Sequence, residues 1–208
     1  IKSIIGAAFG ASGQRCMAIS VAVLVGKAKD VLPKLVSEAK RLCVGVGSDP
    51  TSDLGPLISE QAKKRVENTI EEGVLEGAEL LLDGRNLHVA GYENGYFVGP
   101  TLFSKVKPTM KIYKDEIFGP VLLTIEVEAL EDAIQLVNEN PYGNGSAIFT
   151  ESGSSARYFQ HEISAGMVGI NVPIPVPLPF FSFSGAKGSI LGDLHAYGKE
   201  GVRFYTQL

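Results

Sequence analysis

Short apolar segments alternate along this chain with segments of helical periodicity. The run MAISVAVLVG, at 17–26, is almost continuously apolar and rich in β-branched residues, which predicts a strand buried on both faces. Further strand-like segments are AELLLDG, YFVGPTLFSKV, GPVLLTIEVE, SAIFT and MVGIN. Because helical segments separate most of them, the pattern predicts an α/β fold, a three-layer α/β/α domain with a mostly parallel sheet.

Five segments have helical spacing of apolar residues. They are 1–12, 28–42, 59–76, 131–140 and 154–163. In the third, Ser59 is the predicted N-cap, Gly77 is the predicted stop, and Val66, Ile70 and Val74 form the predicted buried stripe. The proline-rich segment VPIPVPLPFFSFSG cannot donate a regular ladder of hydrogen bonds and predicts an extended loop.

Composition narrows the classes of protein that this chain can represent. With 45% hydrophobic and 20% charged residues among 208, it is typical of a soluble globular domain. The net charge of -4 and the lack of a basic run argue against a nucleic-acid partner. No apolar run reaches the roughly 20 residues that span a bilayer, so no membrane association is expected. Two cysteines, Cys16 and Cys43, are typical of a reducing compartment and predict no disulfide.

The chain begins at Ile1, inside an apolar helical segment, and ends at YTQL without a turn or a charged tail. We therefore expect it to be a piece of a longer protein.

Cys16 is the first candidate for chemistry. A thiolate is a strong nucleophile, and a neighbouring cation such as Arg15 would stabilise it. Nearby glycines would let a substrate approach the backbone. The alternative is a small buried apolar residue, which is the commoner role of an unpaired cysteine and the better interpretation from the residues alone. No histidine has a context that marks it as a partner base.

The segment EIFGPV contains the second candidate pair, Glu116 and Phe118. A carboxylate can accept hydrogen bonds from both hydroxyls of a ribose, and an aromatic ring can support a flat heteroaromatic ring. The alternative is an ordinary strand entrance shaped by Gly119 and Pro120. Composition does not separate the two interpretations.

Ordered blocks along the whole chain resemble the aldehyde dehydrogenase family. The blocks are GQRC, DLGPLIS, VGPTLF, YKDEIFGPV, NPYGNGSAIFT, GMVGIN and YTQ. The clusters GQRCMA and GDLHAYGKEGVRFYTQ are similar to a branch of that family with carboxylate-bearing semialdehyde substrates. The resemblance implies that residues 1–208 are a cysteine-bearing catalytic domain of the aldehyde dehydrogenase type, with the NAD-binding portion outside this sequence.

The resemblance assigns roles to five residues. Cys16 matches the catalytic nucleophile, whose own backbone N–H contributes to an oxyanion hole, and Glu116 and Phe118 match the residues that bind the nicotinamide ribose and nicotinamide of NAD. Arg15 matches a substrate-binding residue for the semialdehyde carboxylate, with a structural ion pair as an equal alternative. Asn171 matches a supporting residue near the active site, although a turn or strand-end hydrogen bond is the favoured alternative. No metal site is implied.

The same resemblance implies the reaction and the partners. The cofactor is NAD, coenzyme A is the co-substrate that accepts the acyl group, and the substrate is a small aldehyde. A homo-oligomer, a tetramer, is expected for the full-length protein, in the mitochondrial matrix of a eukaryote or the cytoplasm of a bacterium. The isolated piece is expected to be inactive. A water-using relative and a non-catalytic folding or assembly piece remain alternatives.

Overall fold

The computed structural model describes residues 1–207, and the chain separates into two compact units. The first is Ile1–Glu128 and the second is Ala129–Leu208, of which Leu208 lies outside the described residues. The prediction of a single catalytic domain over 1–208 stays a prediction.

The first unit contains a mostly parallel sheet, as predicted. Its elements are, in chain order, α1 (Lys2–Phe9), β1 (Val21–Val25), α2 (Leu32–Lys40), α3 (Glu60–Leu75), β2 (Glu79–Leu82), β3 (Thr101–Ser104), α4 (Lys111–Lys114) and β4 (Val121–Val127). The strand order is β1-β4-β3-β2. Strands β1 and β3 run parallel to β4, whereas β2 pairs antiparallel with β3.

Helices cover both faces of this sheet. On one face, Leu102 of β3 belongs to a buried cluster with Phe9 of α1 and Leu35 of α2. The next residue, Phe103, points to the opposite face because side chains alternate along a strand. There it meets α3, since a Cβ added to Gly73 would lie 3.2 Å from the ring of Phe103. The three-layer α/β/α arrangement is therefore confirmed.

Strands β3 and β4 are buried on both faces, whereas β1 is not. All of 121–125 in β4 is buried, whereas Leu24 is the one buried residue of β1. The prediction for the MAISVAVLVG segment was wrong in this respect. Within residues 1–207, β1 lies at the edge of the sheet, and β4 lies between β1 and β3. Apolar composition identified a strand, but its position in the sheet decided how deeply it is buried.

Most predicted helix boundaries agree with the structure. Ser59 caps α3 by accepting a hydrogen bond from the Ala62 N–H at 3.1 Å, and Gly77 follows the helix with a φ of 90°. The segment predicted as a helix over 28–42 begins instead with a 3-10 helix, Gly26–Val31. The α-helix follows with Pro33 in its first turn, where its missing N–H costs nothing.

The buried stripe of α3 differs from the prediction at one position. Val66 and Ile70 are fully buried, as expected, but Val74 is 37% exposed and Gly73 is buried in its place. Gly73 has no side chain, so an apolar pattern does not mark it as a core position. Its small size lets α3 approach the side chains of Ile112 and Phe103 closely.

An ion-pair cluster joins α3 to the segment after β2. Arg85 forms a bidentate pair with Asp83, with Nε 2.9 Å from Oδ1 and Nη2 2.7 Å from Oδ2, and also donates to Glu71 of α3. The hydrogen bond from Arg85 lowers the pKa of the Asp83 carboxyl below its usual value. The cluster fixes α3 relative to the β2 end of the sheet.

The second unit is a smaller α/β arrangement. Its elements are α5 (Leu130–Glu139), β5 (Tyr142–Gly143), β6 (Gly145–Ile148), α6 (Gly153–Glu162), β7 (Met167–Ile170), β8 (Ala186–Lys187) and α7 (Gly198–Tyr205). Strands β6 and β7 are parallel and connected through α6, and Ile134, Phe159 and Ile163 form the core between helices and strands. The proline-rich segment 172–185 contains no helix or strand, as predicted.

Helix α7 was not predicted from the sequence. Its large apolar side chains, Val202, Phe204 and Tyr205, are 67%, 50% and 75% exposed. The helix has only eight residues and includes Gly198 and Gly201, which weaken a helical pattern in the sequence. Within residues 1–207, no helix is long and apolar enough to cross a membrane.

Candidate active site

Cys16 lies between α1 and β1, at the helix-to-strand junction that the sequence predicted. A 3-10 turn, Gly10–Gly13, separates it from α1. Its side chain is exposed, and so is that of Cys43; neither forms a disulfide. The interpretation of Cys16 as a small buried apolar residue is therefore wrong. An exposed thiol at the end of a tight turn is accessible to a substrate.

The turn before Cys16 has a left-handed backbone over three consecutive residues. Ala11, Ser12 and Gly13 have φ values of 52°, 53° and 69°. The two that are not glycine each cost about 1–2 kcal/mol in this conformation. A hydrogen bond compensates part of that cost: the Ser12 hydroxyl, 2% exposed, donates to the Gly55 carbonyl at 2.7 Å. Cys16, the predicted nucleophile, thus follows a strained turn that is held by a hydrogen bond from Ser12 to Gly55.

Gln14 holds the same turn at a second point. Its side-chain Oε1 accepts a hydrogen bond from the Ile58 N–H at 3.0 Å, and its Nε2 donates to the Pro56 carbonyl at 3.4 Å. With the Ser12 bond, these contacts join the GQRC block to the DLGPLIS block. The sequence showed both blocks but gave no sign that their side chains and backbone are bonded to each other.

Gly13 brings the EIFG loop to the cysteine turn. A Cβ added to Gly13 would lie 2.0 Å from the Gly119 carbonyl oxygen, so the two backbones are in direct contact. Cys16 follows one partner of this contact by three residues, and Phe118 directly precedes the other. The contact therefore brings together the two segments that carry the predicted nucleophile and the predicted cofactor residues.

Two side chains of the EIFG loop, those of Glu116 and Phe118, are available to a ligand. Glu116 is exposed, and the Phe118 ring is 38% exposed, while Ile117 between them is buried. Phe118 and Gln14 line an open groove of about 670 Å³, together with Ile58 and Tyr96. Phe118 also has a φ of 52°, a conformation that a bulky residue adopts only under external restraint. The groove offers an aromatic surface next to the cysteine turn.

Arg15 folds back onto the end of α1. Its Nη2 donates to the carbonyl oxygens of Gly6 at 2.8 Å and Ala7 at 3.0 Å, and its guanidinium covers Gly10, where a Cβ would lie 2.8 Å from Nη2. Its buried Nε has no hydrogen-bond partner. A cation is favourable at a helix C-terminus, where carbonyls lack partners. The observed contacts are those of a helix C-cap rather than of an ion pair.

Asn171 lies in the second unit, just after β7. Its side chain bonds Thr150 at both ends: Oδ1 accepts from the Thr150 N–H at 2.9 Å, and Nδ2 donates to the Thr150 carbonyl at 3.0 Å. Its φ of 56° is a left-handed value that asparagine tolerates better than most residues. These contacts are the strand-end hydrogen bonds that the sequence favoured for this position.

Lys187 has a structural role that the sequence did not reveal. Its ammonium group donates to the carbonyl oxygens of Val137 at 3.1 Å, Asn138 at 2.9 Å and Asn140 at 3.0 Å. These carbonyls lie at the C-terminal end of α5, where a positive charge is stabilising. In this unit, the lysine of the SGAKGS segment fastens β8 to α5.

Metal-ligating residues are dispersed. Within residues 1–207, no group of three or more histidine, cysteine, aspartate or glutamate side chains could hold a metal ion. The three histidines contact other groups: His88 lies 3.7 Å from Glu93, His161 lies 3.7 Å from Glu162, and His195 lies 3.3 Å from the Ser184 hydroxyl.

Known proteins resemble this chain over its whole length. The family model "Aldehyde dehydrogenase family" matches residues 1–208. The chain is 60% identical over 208 residues to the methylmalonate-semialdehyde/malonate-semialdehyde dehydrogenase of Bos taurus, named as acylating and mitochondrial. All of this chain is covered but only 39% of the bovine protein, so the chain spans about two fifths of that relative.

Two solved structures have the same fold. One is a protein of Sinorhizobium meliloti 1021 assigned as a methylmalonate-semialdehyde dehydrogenase and complexed with NAD, with 46% identity and a TM-score of 0.97 over 99% of this chain and 42% of that one. The other, the methylmalonate-semialdehyde dehydrogenase of Oceanimonas doudoroffii, has 48% identity and a TM-score of 0.96 over 99% of this chain and 43% of that one. With the match across all of 1–208, these similarities settle the family. This chain belongs to the aldehyde dehydrogenase family.

Proposed function

We propose that the whole protein oxidises methylmalonate or malonate semialdehyde with NAD and transfers the acyl group to coenzyme A, with loss of CO₂. The observation that carries the proposal is the contact between Gly13 and Gly119, which brings the segment of the exposed Cys16 to the loop of Glu116 and Phe118. The names of the bovine, Sinorhizobium and Oceanimonas relatives support the substrate class.

The proposed chemistry begins at Cys16. Its thiolate adds to the aldehyde carbon and forms a thiohemiacetal, whose negatively charged oxygen requires hydrogen-bond donors that are already in place. The Cys16 backbone N–H is one such donor. The left-handed turn, fixed by Ser12 and Gln14, determines where both the sulfur and this N–H lie.

The EIFG loop has a hydrogen-bond acceptor and an aromatic surface that suit a nicotinamide nucleotide. The exposed Glu116 carboxylate can accept hydrogen bonds from the ribose hydroxyls, and the exposed Phe118 ring can contact the flat nicotinamide. When bound, NAD supplies the hydride acceptor that converts the thiohemiacetal to a thioester. The residues of this chain fit the nicotinamide end of the cofactor.

The thioester ends the cycle by losing its acyl group to coenzyme A. The thiolate of coenzyme A attacks the thioester carbonyl, the bond to sulfur of Cys16 breaks, and the Cys16 thiolate is regenerated. The bond between the substrate carboxylate and the carbon next to the thioester carbonyl breaks, CO₂ leaves, and that carbon takes up a proton from solvent. The result is propionyl-CoA from methylmalonate semialdehyde and acetyl-CoA from malonate semialdehyde.

A test of the acyl acceptor is NADH formation by the full-length protein with malonate semialdehyde, with and without coenzyme A. We expect turnover to rise about tenfold or more when coenzyme A is added, with acetyl-CoA as the product and ping-pong kinetics. Equal turnover without coenzyme A would identify a water-using dehydrogenase instead. Lack of NADH formation under both conditions would contradict the proposed oxidation and favour a non-catalytic role.

Arg15 is proposed to contact the substrate carboxylate in addition to capping α1. Replacing Arg15 with methionine should lower kcat/KM for malonate semialdehyde by about 10- to 100-fold, the value of a hydrogen-bonded charge pair. For propanal, which has no carboxylate, the loss should stay below about threefold. Arg41→Met is the matched control, since Arg41 is exposed and forms a salt bridge with Glu38 at the end of its own helix. Equal losses for both aldehydes would leave Arg15 with the helix-capping role alone.

Domain, location and assembly follow from the same proposal. We assign residues 1–208 to the cysteine-bearing catalytic portion. This chain spans 39% of the bovine relative, and we place the NAD-binding portion in the remaining length of the full protein. The bovine relative is named as mitochondrial, which supports a mitochondrial location for a eukaryotic protein; the matrix is our proposal. A homotetramer is our prediction for the full-length protein.

A further inference from the structure

The EIFG loop adopts a conformation that its own residues do not favour. Phe118 has a φ of 52°, and a bulky residue with a left-handed backbone costs about 1–2 kcal/mol relative to the ordinary regions. Such a conformation persists only when neighbouring elements restrain it. The restraint on this loop comes from residues that lie outside the EIFG block.

Arg65 of α3 supplies the polar restraint. Its Nη1 donates a hydrogen bond to the carbonyl oxygen of Ile117, a partly buried contact between residues 52 positions apart. Among residues 1–207, no carboxylate forms a salt bridge with Arg65. No ion pair therefore competes there with its hydrogen bond to the Ile117 carbonyl. Hydrogen bonds from charged donors are among the stronger ones in proteins.

This hydrogen bond acts directly on the strained torsion. The Ile117 carbonyl belongs to the peptide plane that joins Ile117 to Phe118, and rotation of that plane changes the φ of Phe118. Holding the carbonyl therefore holds Phe118 in its left-handed conformation. Rotation of this plane changes ψ of Ile117 as well as φ of Phe118, so the plane sets the orientation of Phe118 relative to Glu116.

Two packing contacts at Gly119 complete the restraint. Val66, the neighbour of Arg65 on α3, packs under Gly119, where a Cβ would lie 2.6 Å from a methyl of Val66. Gly13 contacts the Gly119 carbonyl from the other side. These contacts locate Gly119, but neither touches the Ile117–Phe118 peptide plane, which lies one residue earlier. That rotation depends on Arg65.

We propose that Arg65 is a positioning residue for the cofactor: by holding the Ile117 carbonyl, it orients Glu116 and Phe118 toward the nicotinamide riboside. This inference rests on the proposed function, because it assumes that the EIFG loop binds NAD. It assigns a role to a helix residue that lies in none of the sequence blocks that resemble the family.

The test compares NAD binding by variants of the full-length protein. Arg65→Met should raise the Kd for NAD about tenfold, the effect of losing one hydrogen bond from a charged donor. Arg65→Lys keeps a cationic donor on a long side chain and should restore the Kd to within about threefold of the wild type. The KM for the aldehyde should change by less than about twofold in both variants, because Arg65 is not proposed to contact the substrate.

Lys64→Met is the matched control, because Lys64 is adjacent on α3, is exposed and pairs with Glu60 of the same helix. An unchanged Kd in Arg65→Met, or an equal rise in Lys64→Met, would overturn the inference. Glu116→Ala separates this failure from failure of the proposed function. If Glu116→Ala weakens NAD binding while Arg65→Met does not, only the role of Arg65 is wrong; if neither variant weakens it, the cofactor assignment of the loop is wrong as well.

Discussion

Replacing Cys16 with alanine in the full-length protein should abolish aldehyde oxidation, with a loss in kcat of about 10⁴-fold or more. The expectation follows from the proposed mechanism, in which the sulfur of Cys16 forms the covalent bond that precedes hydride transfer. Cys16→Ser should recover little of this activity, because an unactivated hydroxyl is a weak nucleophile at neutral pH. NADH formation from malonate semialdehyde measures the loss in both variants.

Cys43 provides a matched control within the same chain. It is also exposed and also outside any disulfide, so Cys43→Ala should retain wild-type kcat. In the unmodified protein, iodoacetamide should alkylate Cys16 faster than Cys43, and substrate should slow the reaction at Cys16 only. Retention of more than about 1% of the wild-type kcat by Cys16→Ala would contradict a covalent role for this cysteine.

Much of the candidate site could be predicted because its residues belong to short contiguous blocks. With the family resemblance, GQRC made Cys16 and Arg15 candidates, and EIFGPV made Glu116 and Phe118 candidates. The contacts between the blocks could not be predicted. The reason for a glycine at 13 is the position of the Gly119 carbonyl, and that position depends on how two distant segments pack. A sequence pattern records each segment but not the distance between them.

The direction of a long side chain is the second kind of information that the sequence does not contain. Arg15 precedes Cys16 in the chain, which suggested a cation beside the thiol, yet its Nη2 is bonded to Gly6 and Ala7 of α1. Arg65 was unremarkable on an amphipathic helix, and its contact with Ile117 depends on where α3 crosses the loop. Both arginines have several rotatable bonds, so their partners are decided by packing.

The fold was predictable where local pattern and tertiary environment agree. Strand β4 and the Ser59 cap of α3 have sequences that suit their surroundings, and both were predicted correctly. Strand β1 has the composition of a buried strand but lies at the edge of the sheet within residues 1–207. Edge and centre differ in the number of neighbouring strands, which composition does not record.

Gly13→Ala should destabilise the full-length protein and lower its activity at the same time. A Cβ at this position would lie 2.0 Å from the Gly119 carbonyl oxygen, and the φ of 69° disfavours any residue with a side chain. Overpacking against backbone costs about 1–3 kcal/mol, and the left-handed conformation adds about 1 kcal/mol. We expect the apparent Tm to fall by about 5 °C or more. Since the turn and the EIFG loop must separate, kcat should fall about tenfold or more.

Gly6→Ala is the control that isolates the contact from a general effect of adding a methyl group. Gly6 lies in α1, and a Cβ there would meet nothing within 4 Å beyond its chain neighbours and the backbone of its own helix. Alanine is favoured over glycine in a helix by about 0.5–1 kcal/mol, so the apparent Tm should stay the same or rise slightly. The bond from Arg15 to the Gly6 carbonyl is to the backbone and is retained. If Gly13→Ala left both Tm and kcat at the values of Gly6→Ala, the Gly13–Gly119 contact would not hold the nucleophile and the cofactor loop together.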